Sequence, residues 1–167
     1  NTEIIIEQFT KQAVPFPMMP AQSHEAALKR MLEMSGVTQE DTVLDVACGP
    51  GLVAMAFAGR AAYVRGIDIT PAMIERAREL ARQKNIQNVS FEPGDMSSLP
   101  FGDDQFAVVV TRYSLHHFHE PAKVLNEMGR VAKRGGVVLA VDMVLPEAKR
   151  VFYDRMERMR DASHVRT

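Results

Sequence analysis

Three aspartates, each inside or just after an apolar run, are the residues of this 167-residue chain best placed to do chemistry. Asp45 stands in VLDVACGPG, Asp68 in GIDIT and Asp95 in EPGDMSSLPF. After Asp45 come Gly49 and Gly51, which let the main chain turn tightly and leave no side chain between backbone and ligand. A carboxylate at a strand end can take both hydroxyls of a ribose or accept from a purine amino group. A second cluster, Arg112-Tyr113-Ser114-Leu115-His116-His117-Phe118-His119, offers imidazoles, which titrate near neutral pH and so suit proton transfer.

Read literally, Gly49-x-Gly51-x-x-Ala54 with Asp68 further on also satisfies the loose dinucleotide fingerprint. Charge separates the two ligand classes. A dinucleotide would bring a diphosphate to this loop, against Asp45. S-adenosylmethionine carries no phosphate but has an ammonium and a sulfonium. One carboxylate–cation pair about 4 Å apart, at an effective dielectric near 20, is worth about 4 kcal/mol before desolvation, enough to bias the choice. No Tyr-x-x-x-Lys or other catalytic pair supports a nicotinamide-dependent oxidoreductase, which stands as the alternative. A non-catalytic protein that keeps the cofactor cleft is a third reading.

In the histidine segment, neighbouring His116 and His117 point differently and no thiolate or well-spaced acid completes a zinc set, so no metal is expected. His117, or else His116, is the candidate general base or orienting donor; packing under the strand end and capping the next helix are the structural alternatives. Tyr113 stacks on substrate or fills the cleft wall, and Arg112 holds an anionic group or pairs with a core acid. Cys48, the only cysteine, reads as a small buried filler whose place beside the cofactor makes it an alkylation target.

These residues need elements to position them. Apolar runs at 42–47, 62–67, 88–92, 106–111 and 136–144 read as strands. Between them, 52–59, 71–84 and 121–133 read as helices, with Thr70 capping and Pro71 and Pro121 at first helical positions. An earlier helix starts at a Ser23 cap and ends at Gly36, preceded by a proline-rich apolar flap, AVPFPMMP, at 13–20. The alternation predicts an α/β fold: a doubly wound, Rossmann-like parallel sheet with helices on both faces, ligands binding beyond the carboxyl ends of the strands. Residues 1–37 form the flap and helix, 38–145 the core, and 146–167 a final helix with a Val151, Phe152, Met156 and Met159 packing face.

In order, LDVACGPG, GIDIT-PAMIERAR, GDMSSLPF, FAVVVTRYSLHHF and KRGGVVLAVD resemble the class I S-adenosylmethionine-dependent methyltransferases. Specifically, they resemble the type 11 domain, in the group similar to the ubiquinone and menaquinone biosynthesis C-methyltransferases. The likeness covers about residues 40–145, with Ala47 where many members have glycine. It implies a 3-2-1-4-5 strand order. It implies that Asp45, Gly49 and Gly51 hold the methionine part, Asp68 the ribose, and Asp95 with Met96 the adenine; Ala47, Ile69 and Arg112 are counted with the cofactor residues. His117, His116 and Tyr113 are the catalytic candidates. Family members continue into an antiparallel strand pair beside the fifth strand. The expectation is therefore that the native polypeptide is longer or that a partner covers that apolar edge.

Composition bounds the rest. Lys and Arg number 20 against 21 Asp and Glu, without the basic excess of a nucleic-acid binder. After strand four there is neither an Asn/Asp-Pro-Pro-aromatic motif nor a cysteine nucleophile, which disfavours methylation of nucleic-acid bases. No apolar run reaches the roughly 18 residues of a membrane span. A single cysteine excludes an internal disulfide and fits a reducing compartment. The expected partner is a small-molecule methyl acceptor, methylated at C, O or N; the expected location is cytoplasmic, with homodimerisation left open.

Overall fold

Five apolar runs become five parallel strands: β1 (Thr42–Val46), β2 (Tyr63–Asp68), β3 (Val89–Pro93), β4 (Phe106–Arg112) and β5 (Ala132–Val141). They lie side by side in the order β3-β2-β1-β4-β5, the expected one. The computed structural model describes residues 2–12 and 25–143, with Pro146, Glu147, Lys149, Val151, Tyr153 and Arg155. The flap at 13–20, Ser23 and the end of the expected final helix lie outside the described residues. Glu147, Lys149, Val151, Tyr153 and Arg155 are helical, and Val151 of the expected packing face is exposed.

The helices are α1 (Thr2–Gln12), α2 (Glu25–Ser35), α3 (Leu52–Ala58), α4 (Pro71–Gln83) and α5 (Pro121–Val131). Both sheet faces are covered, which is why the strands read as near-continuous apolar runs. Val43, Val108 and Val110 pack toward α2, α3 and α4 on one side. Leu44, Val46 and Val109 pack toward Val124, Met128 and Val131 of α5 on the other. Period-two alternation of side chains thus serves two cores at once.

Two boundaries move from their expected places. Helix α5 stops at Val131, and β5 begins at Ala132 instead of Gly136. The register explains it: Phe106 pairs with Ala132, but Val108 pairs with Val137, so residues 133–136 bulge from the ladder before the apolar part of β5 engages. Gly135 makes that turn with φ +77°. Helix α1 has no counterpart among the expected elements. Its Ile4-Ile5-Ile6 run is β-branched and reads poorly as helix.

The long loop from β3 to β4 is held from below by α5. Arg130 donates to the carbonyls of Phe101 at 2.8 Å and Leu99 at 3.1 Å. Glu127 accepts the Leu99 N–H at 2.8 Å. The Arg130 hydrogen bond draws the Glu127 carboxyl down to about 2. This brace fixes the loop that carries Met96.

Candidate active site

A cleft of about 760 Å³, counting its open mouth, lies at the carboxyl ends of β1, β2 and β4, a size suited to a small organic ligand. Its first wall is the loop after β1. Asp45 is buried, and its Oδ2 accepts the N–H of Ala54 at 2.9 Å, satisfying one donor of the first turn of α3. Burial raises the Asp45 carboxyl to about 8; the Ala54 N–H pulls it down, the nearby Asp68 charge pushes it up, and Arg112 pulls it down. The second wall is the end of β2. Asp68 is also buried; Oδ2 accepts from the N–H of Gly49 and Oδ1 from that of Thr70, both at 2.8 Å. Burial raises its carboxyl despite those two donors.

The loop between the acids adopts left-handed backbone at Ala47 (φ +57°), Gly49 (φ +51°) and Gly51 (φ +81°). An alanine in this left-handed backbone carries a small strain that a glycine would not. A Cβ on Gly49 would meet nothing within 4 Å, so this glycine faces open cleft. One on Gly51 would sit 2.6 Å from Phe91 and 3.1 Å from the Ala77 side chain. Gly51 therefore permits close packing of the loop on β3 and α4, and it does not line the cleft.

The third wall follows β4. Thr111 donates to the Val46 carbonyl at 2.7 Å and lies 2.6 Å from the Ser114 hydroxyl, which joins this turn to β1. Arg112 is buried with its guanidinium 4.6 Å from the centre of the Tyr113 ring. Tyr113 holds φ +54° and donates its N–H to Val141 at 2.8 Å. His117 is buried at the wall, and the Phe9 ring of α1 meets it edge-on at 5.0 Å and 87°.

Of the residues expected at the site, Asp45, Ala47, Gly49, Asp68, Ile69, Met96, Arg112, Tyr113 and His117 line this one cleft. Three do not. Gly51 is taken up by packing, as above. Asp95 is exposed and its Oδ1 accepts from both the N–H and the hydroxyl of Ser97 at 2.8 Å. His116 turns its Nδ1 to Asp142, 2.7 Å away, instead of to the cleft. Cys48 lines the cleft but burial, with Asp45 and Asp68 nearby, pushes its thiol well above the usual range. That shift disfavours the thiolate form through which a cysteine is alkylated.

Sequence reasoning missed Ile5 and Phe9, which bring α1 over the cleft, as well as Leu52, Met73, Ser114 and Phe118. No local spacing marks Ile5 and Phe9, whose helix is joined to the core only in space. Ser114 and Phe118 flank the histidines and were within reach of the β4 strand-end rule. Among the described residues no group of three or more His, Cys, Asp or Glu is arranged to hold a metal ion, and no helix is long and apolar enough to cross a membrane.

The same layout recurs in known proteins. A family model described as a methyltransferase domain matches residues 38–165. The chain belongs to that family. The uncharacterized methyltransferase YcgJ of Bacillus subtilis is 38% identical over 138 residues, 81% of this chain and 54% of that protein. Its crystal structure superposes with a TM-score of 0.81 over 86% of this chain and 62% of that one. A demethylmenaquinone methyltransferase of Staphylococcus aureus is 33% identical over 75% of this chain and 52% of its own length. The ubiquinone/menaquinone biosynthesis C-methyltransferase UbiE of Bdellovibrio bacteriovorus is 30% identical over 85% of this chain and 63% of its own. The chain thus spans about half to two thirds of the length of these methyltransferase-family relatives.

The cofactor of this family fits the cleft on three grounds. A ligand can approach the main chain at Gly49 without meeting a side chain. Two buried acids, Asp45 and Asp68, face the cleft, where cationic and hydroxyl groups can pair with them. Apolar Ile69, Met73 and Met96 offer a flat ring a dry slot.

Proposed function

We propose that the protein transfers a methyl group from S-adenosylmethionine to a small apolar acceptor. The observation that carries this reading is the pairing of buried Asp45 and Asp68 around the Gly49 turn, a setting that attracts cations and repels a diphosphate. When bound, S-adenosylmethionine supplies an electrophilic methyl group.

The chain's own residues then divide the work. Asp45, Ala47 and Gly49 receive the methionine part; Asp45 gives up its proton when a cation arrives. Asp68, held at the end of β2 by the Gly49 and Thr70 N–H groups, accepts from the ribose hydroxyls. Ile69 and Met96 take the adenine, with Asp95 left outside the cleft. Arg112 offsets the paired acids. Ile5, Phe9 and Phe118 keep water from the acceptor's side, where catalysis rests chiefly on alignment. His117 takes the acceptor's hydroxyl proton, and Tyr113 packs against the acceptor ring.

A hydroquinone is the first acceptor to test, because relatives are named for quinone methylation. The near-equal charge totals favour such a molecule over nucleic acid. A cytoplasmic location and a homodimer belong to the same proposal; light scattering after gel filtration tests the second. The deciding assay follows label from methyl-labelled S-adenosylmethionine into phenolic and hydroquinone acceptors. Label is expected in product, falling about 100-fold or more in His117→Gln. Tight cofactor binding without transfer to any acceptor would favour a non-catalytic binder.

A further inference from the structure

Outside the cleft stands a second pair of titratable side chains. Asp142, just beyond β5, receives His116 at two points: the imidazole Nδ1 lies 2.7 Å from Oδ1 and the main-chain N–H donates to Oδ2 at 3.3 Å. A third bond, from the N–H of Met143 to Oδ1 at 2.8 Å, fixes the carboxylate itself. Both side chains are largely buried, 12% and 16% exposed, though neither lines the cleft. Burial raises the Asp142 carboxyl, but the His116 hydrogen bond and charge more than offset this, and the group lies below its ordinary value.

A surface ion pair would contribute little. This one joins residues 26 positions apart and clamps the short 3-10 turn Leu115–His117 to the end of the edge strand. The next ring in that turn is His117. The two imidazoles lie 4.1 Å apart between centroids, tilted by 46°, and on its other side His117 meets Phe9 edge-on. An acceptor-only carboxylate fixes the His116 tautomer with its proton on Nδ1, and thereby its ring plane. That plane is one of the surfaces against which His117 packs.

We propose that Asp142 is a positioning residue: by clamping His116, it sets the ring of His117 against the methyl-transfer cleft. The assignment rests on the reading of His117 as the base, but its test does not. Nitrogen-15 and proton spectra of the imidazoles, recorded with S-adenosylhomocysteine bound, report both rings directly. Asp142→Ala is expected to abolish the low-field Nδ1 proton of His116 and to shift the His117 ring resonances. Asp142→Asn, which keeps an acceptor oxygen in place, is expected to restore the His117 pattern. Should Asp142→Ala fail to fold, His116→Gln must shift His117 in the same direction.

Loss of thermal stability with unchanged His117 resonances would overturn the proposal and leave the pair a fastener of β5. An equal displacement in Asp142→Ala and Asp142→Asn would also overturn it, since geometry would then not be the cause. The base reading fails separately, if His117→Gln transfers label to hydroquinone at the wild-type rate while the spectra still couple Asp142 to His117.

Discussion

Asp68 accepts the main-chain N–H of Gly49 at 2.8 Å, so the acid expected to hold the ribose also fastens the loop expected to hold the methionine part. One side chain thus builds the site it is proposed to serve. Asp68→Ala leaves the Gly49 and Thr70 donors without their acceptor. A loss of about 2–3 kcal/mol in urea unfolding is expected, together with loss of S-adenosylmethionine binding in calorimetry.

The two glycines of the loop should behave oppositely. Gly51→Ala drives a methyl group into Phe91, 2.6 Å away, and is expected to cost about 1–3 kcal/mol of stability. Gly49→Ala meets no protein atom and carries only the backbone strain of φ +51°, about 1 kcal/mol. Its methyl group occupies cleft space, so cofactor affinity should fall more steeply than stability. Paired denaturation and calorimetric titrations of the two variants separate these effects.

Asp45 sets a pH dependence. Its carboxyl is raised from 3.8 to about 8 in the fold, so across that interval the folded state holds a proton that the unfolded chain releases. Stability of the ligand-free protein should therefore fall as pH rises through the window, and the contribution is whole only below it. A cationic ligand selects the ionised form. Its affinity should rise with pH by up to about tenfold per unit until near pH 8, with protons released to buffer on binding. Calorimetry in buffers of different ionisation heat measures that release. Asp45→Asn, which mimics the protonated acid, should abolish the release, weaken binding and lose this pH dependence, so that the ligand-free variant is more stable than the wild type at pH 8.

The lid is tested at Phe9. Phe9→Ala removes the ring that meets His117 edge-on and opens the acceptor side of the cleft. Methyl transfer to hydroquinone is expected to fall, with S-adenosylhomocysteine affinity changed by less than about threefold, because the Phe9 ring packs on His117, the residue proposed to face the acceptor. A proportionate fall in both would place α1 over the cofactor instead.

The parallel α/β alternation and most of the cleft were legible in the sequence because both follow from local pattern, while the strand order came with the family resemblance. Apolar runs covered on two faces mark parallel strands, and acids at their carboxyl ends face the ligand site. Asp45, Asp68 and His117 were found this way. Gly51 was misread because a glycine needed for packing against Phe91 has the same local signature as one needed for a ligand. His116 and His117 are adjacent, and only the distant Asp142 decides which of them turns away. Asp95 was drawn inward by motif, whereas Ser97, two residues on, holds its carboxylate at the surface. Ile5 and Phe9 were out of reach, because nothing in a short amphipathic helix states where on the core it will rest.

The central claim is that the cleft takes a cationic nucleoside free of phosphate. Parallel calorimetric titrations of the protein with S-adenosylmethionine and with NAD test it most directly. One saturable site for S-adenosylmethionine, no measurable heat with NAD, and loss of the former in Asp45→Asn is the expected result. Tighter binding of NAD, or S-adenosylmethionine binding indifferent to Asp45, would contradict it.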